Sequence, residues 1–306
     1  MSLHGEVHAR FHPPPEDLRR YFTTFYLTEM IPPPGGAVVD ALQPEWANLR
    51  FFTHGAPDGW IEGGNALGGA SYVGIGPTSR STHFTVGACR FWGIGLLPLG
   101  WAAFMAAPAS SCTNLLADGH AEPAWTAFAP LHGAILAAGR DPEREYAAIV
   151  DHFRALLGKP LRDERLITAI HDAIVDPMVA SVSQLVERAG ASQKTVERAC
   201  HRYFGFTPRL LLRRQRFMRS LSKFMLDPTL NWIGAMDPNY HDQAQFVRDF
   251  REFMGTTPGE YAAQPHPVLD TFMRERLRVA GSPVQTLDRP EGVKPRGPRS
   301  GSPRAK

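Results

Sequence analysis

The sequence predicts an α+β protein: a β-rich N-terminal barrel or sandwich closed by helices, then an all-α domain in which two short helical pairs flank one long helix. Three observations carry that prediction. Between Val38 and Phe104, short apolar runs alternate with Gly and Pro. After Gly158-Lys159-Pro160 the apolar residues return at helical spacing. The region that follows also superposes on itself after a shift of 50 residues.

At 306 residues the chain is long enough for two cores. Hydrophobic residues make up 43% and charged residues 21%, a globular composition that excludes wholesale disorder. No run reaches the roughly 18 apolar residues a membrane span needs, and Met1 to Arg20 carries Arg10, Arg19 and Arg20 in place of a secretory core. The expected address is the cytoplasm. Net charge is +3, but residues 1–160 hold 10 Lys/Arg against 14 Asp/Glu, whereas residues 161–306 hold 23 against 16. A basic second half suits a polyanion.

In the first half, Asn48 to Thr53, Ala70 to Ile75, His83 to Val86 and Cys89 to Leu97 read as strands, and Gly63 to Gly69 as a hairpin or open loop. Trp101 to Met105, Trp125 to Ala138 and Glu143 to Leu157 read as closing helices. The break at Gly158-Lys159-Pro160 sets a first domain of residues 1–158. Asp163 to Asp176 opens the helical domain, residues 161–263, with Leu166, Ile167, Ile170, Ala173 and Ile174 on one face, and Pro177 ends that helix. Residues 264–306 thin into Pro, Gly, Ser and Arg, so the expectation there is a basic, largely disordered tail. Its Arg289, Lys294, Arg296, Arg299, Arg304 and Lys306 would add at most nonspecific attraction to a polyanion.

The 50-residue shift brings Gln193 onto Gln243, Arg198 onto Arg248, Gly205 onto Gly255 and Thr207-Pro208 onto Thr257-Pro258. Apolar positions superpose too: Val196 on Phe246, Cys200 on Phe250, Tyr203 on Phe253. In the first copy, residues 182–204, Val182 to Arg188 forms a short helix, Ala189 to Ala191 a tight turn, and Ser192 the N-cap of a second helix. Burying Val196, Ala199, Cys200 and Tyr203 leaves Gln193, Lys194, Glu197, Arg198 and His201 outward. In the second copy, residues 232–253, Asp242 is the N-cap and Phe246, Phe250 and Phe253 are buried. Gln243, Ala244, Val247, Arg248 and Arg251 then face out. Two short helices about a tight turn let the second enter a major groove, which makes these outward residues, with Ser192 and Asp242, the candidate DNA contacts. The long helix from Pro208 to Leu226 is a rigid spacer, and Arg209, Arg213 and Arg214 are its candidates for phosphate or backbone contact.

The stretch Asn239-Tyr-His-Asp-Gln-Ala-Gln-Phe-Val-Arg-Asp-Phe-Arg251, followed by Gly255-Thr-Thr-Pro258 and Tyr261, resembles the signature of AraC/XylS transcription regulators. The likeness covers about residues 161–263. It implies a seven-helix domain with two recognition helices in successive major-groove segments, Lys194, Glu197 and Arg198 reading bases from the first and Gln243, Ala244, Val247 and Arg248 from the second. Asn239 stands where the family usually has a turn glycine, and Asn tolerates the left-handed backbone such a turn needs. With Pro238 beside it and Gly234 in the preceding helix, a short first helix is expected in the second pair. Pro13 to Tyr26 and Gly93 to Phe104 resemble the sensory domains of the family, which bind a small effector or dimerise.

The resulting expectation is a sequence-specific DNA-binding regulator. Its partners would be duplex DNA, a small-molecule effector at the N-terminal domain, a second copy in a homodimer, and RNA polymerase, with no membrane. No catalytic residue, cofactor or metal is assigned. Cys89, Cys112 and Cys200 read as buried thiols. His4, His8 and His12 share i, i+4 spacing suited to one helix face, but three prolines follow and no fourth ligand is evident. The alternatives are an enzyme or ligand-binding N-terminal domain carrying a DNA-targeting module, and a protein-interaction scaffold. Against the enzyme, the sequence has no Gly-x-Ser-x-Gly elbow, phosphate loop or His-Glu-x-x-His motif.

Overall fold

A computed structural model describes residues 5–158, 160–227 and 229–292. The first half contains strands β1 (Glu6–His12), β2 (Phe22–Ile31), β3 (Val38–Leu42), β4 (Ala47–His54), β5 (Asp58–Ile61), β6 (Ala66–Gly68), β7 (Tyr72–Ile75), β8 (Thr82–Val86), β9 (Cys89–Leu96) and β10 (Leu116–Asp118). Helix α1 (Pro98–Phe104) precedes β10, and α2 (Ala129–Ala137) and α3 (Pro142–Leu156) follow it. Six strands pair in the order β1-β2-β9-β4-β7-β10 and four in the order β3-β8-β5-β6. Of the two architectures left open by the sequence, the barrel is not formed, because the sheets stay open. They pack face to face instead.

Strand β9 shows why. It is buried along its whole length, and alternation sends Cys89 and Phe91 toward the second sheet while Trp92, Ile94 and Leu96 enter a core under the helices. Gly93 is required where the Tyr26 ring crosses the strand; a Cβ there would lie 2.0 Å from that ring. The helical layer is bolted down by Arg90, whose guanidinium donates to both oxygens of the buried Glu145 in α3, at 2.7 and 2.5 Å.

The second half contains α4 (Glu164–Val175), α5 (Val182–Ala189), α6 (Gln193–Ala199), α7 (Pro208–Leu226), α8 (Trp232–Ala235), α9 (Gln243–Met254), α10 (Pro258–Ala262) and α11 (Pro267–Ala280). The seven from α4 to α10 match the expected number among the described residues. Its cores do not stop at the expected boundary. Trp46, Leu97 and Leu99 pack with Ile167, Leu185, Val196 and Phe204, and the second helical pair shares a core with both sheets.

Two expectations are corrected, and between them a histidine arrangement already set aside is closed. Chain beyond residue 264 does order: α11 buries Val268, Leu269 and Met273 against the first half, and the buried Arg276 pairs with Asp288. Scattered Pro, Gly and Arg masked a short amphipathic repeat. Arg289, counted with the basic tail, pairs with Asp172 at 3.2 Å, whereas Lys294, Arg296, Arg299, Arg304 and Lys306 lie outside the described residues. His8 and His12 stand on strand β1, so the helix face that would have gathered them does not exist; His4 lies outside the described residues. Second, Asn239 does not adopt positive φ. That turn is closed by Asp237, whose carboxylate accepts from the Asn239 N–H at 2.9 Å.

Candidate nucleic-acid interface

The first helical pair forms as its residues dictate. Ser181 and Gln184 build a reciprocal capping box at α5, and Gly190, at φ +63°, ends the helix. Ser192 then caps α6 by accepting from the Thr195 N–H at 3.2 Å. Val196, Ala199 and Cys200 are buried. The rod continues through a π-helical turn, Cys200–Phe204, to Gly205. Gln193, Lys194, Arg198 and His201 are exposed, and Glu197 is half-buried, accepting from Gln193 Nε2 at 2.8 Å.

In the second pair α8 is four residues long, as its Gly and Pro led one to expect. Asp242 caps α9 through the Gln245 N–H at 2.6 Å, and Phe246, Phe250 and Phe253 are buried. Gln243, Ala244, Arg248 and Arg251 are exposed and Val247 is half-buried. Ser192 and Asp242 thus serve first as caps. Helices α6 and α9 each present an exposed face, polar on α6 and broken by Ala244 and Val247 on α9, with an arginine six residues beyond the N-cap.

The spacer helix behaves differently from expectation. Arg209 is exposed, as a phosphate contact requires. Arg214 is fully buried: Nη1 donates to the carbonyls of Thr78 at 2.9 Å and Glu45 at 3.3 Å, and the guanidinium lies 4.1 Å from the Trp46 ring. Burial pushes its pKa down to about 9, which leaves it cationic at neutral pH. Its phosphate role is withdrawn, since no DNA reaches it. Arg213 is likewise reassigned, being held by Asp249 at 2.6 Å and Glu252 at 2.5 Å on α9. Arg216 and Arg219 continue the ladder onto Asp249 and Asp237. The i, i+3 spacing of Arg213, Arg216 and Arg219 was a readable sign of one stripe; only the fold shows that acidic residues meet it.

The thiol of Cys200 is pushed up to about 12 by burial, and that of Cys89 to about 11. Both are packing groups. Between the sheets lies a small apolar cavity of about 50 Å³, lined by Met30, Phe52, Val73, Phe84, Phe91 and Phe272 of α11, with Arg50 the charged residue in its wall. Arg50 is already paired with Glu45 at 2.8 Å.

Among protein families, a helix-turn-helix domain matches residues 185–264. No curated protein matches the chain. Among solved structures, ToxT from Vibrio cholerae is similar at 9% identity over 84% of this chain and 97% of its own, with a TM-score of 0.43. ToxT of strain O395, solved with (E)-4-(8-methylnaphthalen-1-yl)but-3-enoic acid, gives 9% identity over 83% and 97%, TM-score 0.42. The AraC-like transcriptional activator CuxR gives 13% over 70% and 86%, TM-score 0.30.

Proposed function

We propose that this chain, a DNA-binding transcription regulator carrying a helix-turn-helix domain of the AraC type at residues 185–264, reads a two-part site with α6 and α9. The observation that carries this reading is the repetition of one surface: an N-capped helix with its apolar stripe buried and Gln193, Lys194 and Arg198 outward is matched by one with Gln243, Ala244 and Arg248 outward. Side chains of this kind read base edges, and Glu197, His201, Val247 and Arg251 complete the two faces. Arg209 holds register on the phosphates. The test is a selection of duplexes from a random-sequence library by the full chain, followed by footprinting. Two protected major-groove segments are expected; a single one removes α6 or α9 from the reading.

Regulation in this proposal enters through the first half. The apolar lining between the sheets suits a small apolar effector, whose binding would enlarge this small space. A ligand panel read by thermal shift would detect it. Helix α2 favours dimerisation: its solvent face is apolar, with Pro130, Gly133, Ala134 and Leu136 exposed and its one polar residue, His132, buried. Ala134→Glu should then yield monomers by sedimentation. No helix among the described residues is long and apolar enough to cross a membrane; we place the protein in the cytoplasm, acting on RNA polymerase at the bound site.

A further inference from the structure

Both helical pairs rest on one stretch of the first half. Gly76 to Ser81 links β7 in the six-stranded sheet to β8 in the four-stranded one, and all of it but Arg80 is buried. Pro77 packs against Gly205, the left-handed glycine at the end of the first recognition rod. A Cβ there would lie 3.3 Å from the Pro77 Cβ and 2.7 Å from Thr113 Cγ2. Thr78 offers its carbonyl to Arg214 in α7 at 2.9 Å. Ser81 then takes the end of the second rod: its N–H donates to the Phe253 carbonyl at 2.7 Å and its hydroxyl to that of Met254 at 3.3 Å. Last-turn carbonyls have no donor within their own helix, so these bonds fill places the helix leaves open. Gly255, the counterpart of Gly205 one repeat on, meets Glu62 beside them.

The C-terminal ends of both duplicated units therefore bear on one short connection. It does not cover the reading faces, for Gln193, Lys194, Arg198 and His201 and Gln243, Ala244, Arg248 and Arg251 are exposed with the first half in place. It grips only the far ends of the rods.

We infer that the Gly76–Ser81 crossing is a positioning element for DNA reading. It fixes the separation and mutual orientation of α6 and α9, adding the stiffness of the sheets to that of α7, so that the whole chain accepts one spacing between its two half-elements. The inference rests on the reading that both helices dock on DNA. Linked contacts add affinity only when the link lets both engage at once, a gain of about 10²- to 10⁴-fold.

The experiment uses the full chain and a duplex it selects from a random library, with versions of that duplex lengthened or shortened by one base pair between the half-elements. The unmodified chain should prefer the selected spacing by about tenfold or more, and insertion of two glycines between Ser79 and Arg80 should compress the preference to about threefold or less. Nitroxides at Lys194→Cys and Gln243→Cys report the rods directly, because the native Cys89, Cys112 and Cys200 are buried and unlabelled. The insertion should broaden their distance distribution. If the insertion variant does not fold, Ser81→Ala decides, with the same compression to a smaller degree. A spacing preference and distance distribution equal to those of the unmodified chain overturn the proposal. On the same duplexes, Arg198→Ala and Arg248→Ala test the underlying reading: if neither weakens binding, the docking reading fails, and if both do while the loop variants change nothing, only the positioning role falls.

Discussion

Arg213 of the spacer helix donates to Asp249 of α9 at 2.6 Å, across 36 positions of sequence. Asp249 is buried and also receives Arg216 at 3.1 Å and the Tyr240 hydroxyl at 3.1 Å. One carboxylate thus fixes α9 to the spacer helix α7. A guanidinium expected to face phosphate is instead occupied within the protein.

It follows that Arg213→Ala should act on stability. Asp249 keeps two partners, so the expected loss is about 1–3 kcal/mol, read as a lower urea midpoint. The salt dependence of DNA binding should stay parallel to that of the unmodified chain, whereas Arg209→Ala should flatten it by about one counterion. A flattened slope for Arg213→Ala would return that residue to the DNA.

Arg198→Ala should cost about 1–3 kcal/mol on the selected duplex, the scale of one bidentate base contact. Binding to scrambled duplex should change little. Equal losses on both would make Arg198 a phosphate anchor, which a competition titration distinguishes.

His171 gives a pH prediction. Burial, with the Arg214 charge nearby, pushes its pKa down to about 3 from about 6.5 in the unfolded chain. The folded state therefore binds fewer protons than the unfolded state between those values. Its stabilising contribution is whole above about pH 6.5 and is lost as pH falls toward 3, at up to about 1.4 kcal/mol per pH unit. His171→Phe should flatten the stability profile in that window. His12, His83, His132 and His152 are lowered chiefly by burial, so a shallower slope of the same sign should persist. A profile unchanged by the substitution would contradict the assignment.

Leu269 of α11 is fully buried. Leu269→Ala should destabilise by about 2–5 kcal/mol, measured by chemical denaturation of the full chain. Were the helix dispensable, a chain ending at Gln264 would unfold at the same midpoint; it is expected to unfold earlier, having lost the cover over the cavity and β1.

Local signals were readable wherever short-range chemistry settles the outcome. Ser192 and Asp242 cap the helices they precede, Gly190 turns the chain, and Val196 and Phe246 sit on buried stripes, because caps, left-handed turns and 3.6-residue periodicity need only neighbours in sequence. Strands β4 and β8 were legible from their aromatic and β-branched runs. Strand β1 was not, since His8, Arg10 and His12 alternate with small or apolar residues on an edge strand that leaves much of its surface in water. Ser81 was invisible for another reason: nothing near it in sequence says that a helix end 172 residues later will need its N–H.

By itself the sequence determined the order of the two halves, the duplicated helical unit and the outward residues of its second helices, all properties of spacing along one chain. The tertiary structure decided that the sheets remain open, that residues 267–280 form a helix packed on the first half, that Arg214 is buried and that Arg213 is taken up by Asp249 and Glu252. It also placed Pro77 against Gly205 and Ser81 against the carbonyls that end α9. Burial and pairing between distant segments govern these outcomes: an arginine on a helix surface looks the same in sequence whether water, a phosphate or a buried carbonyl lies opposite, and only the packed chain places one of them there.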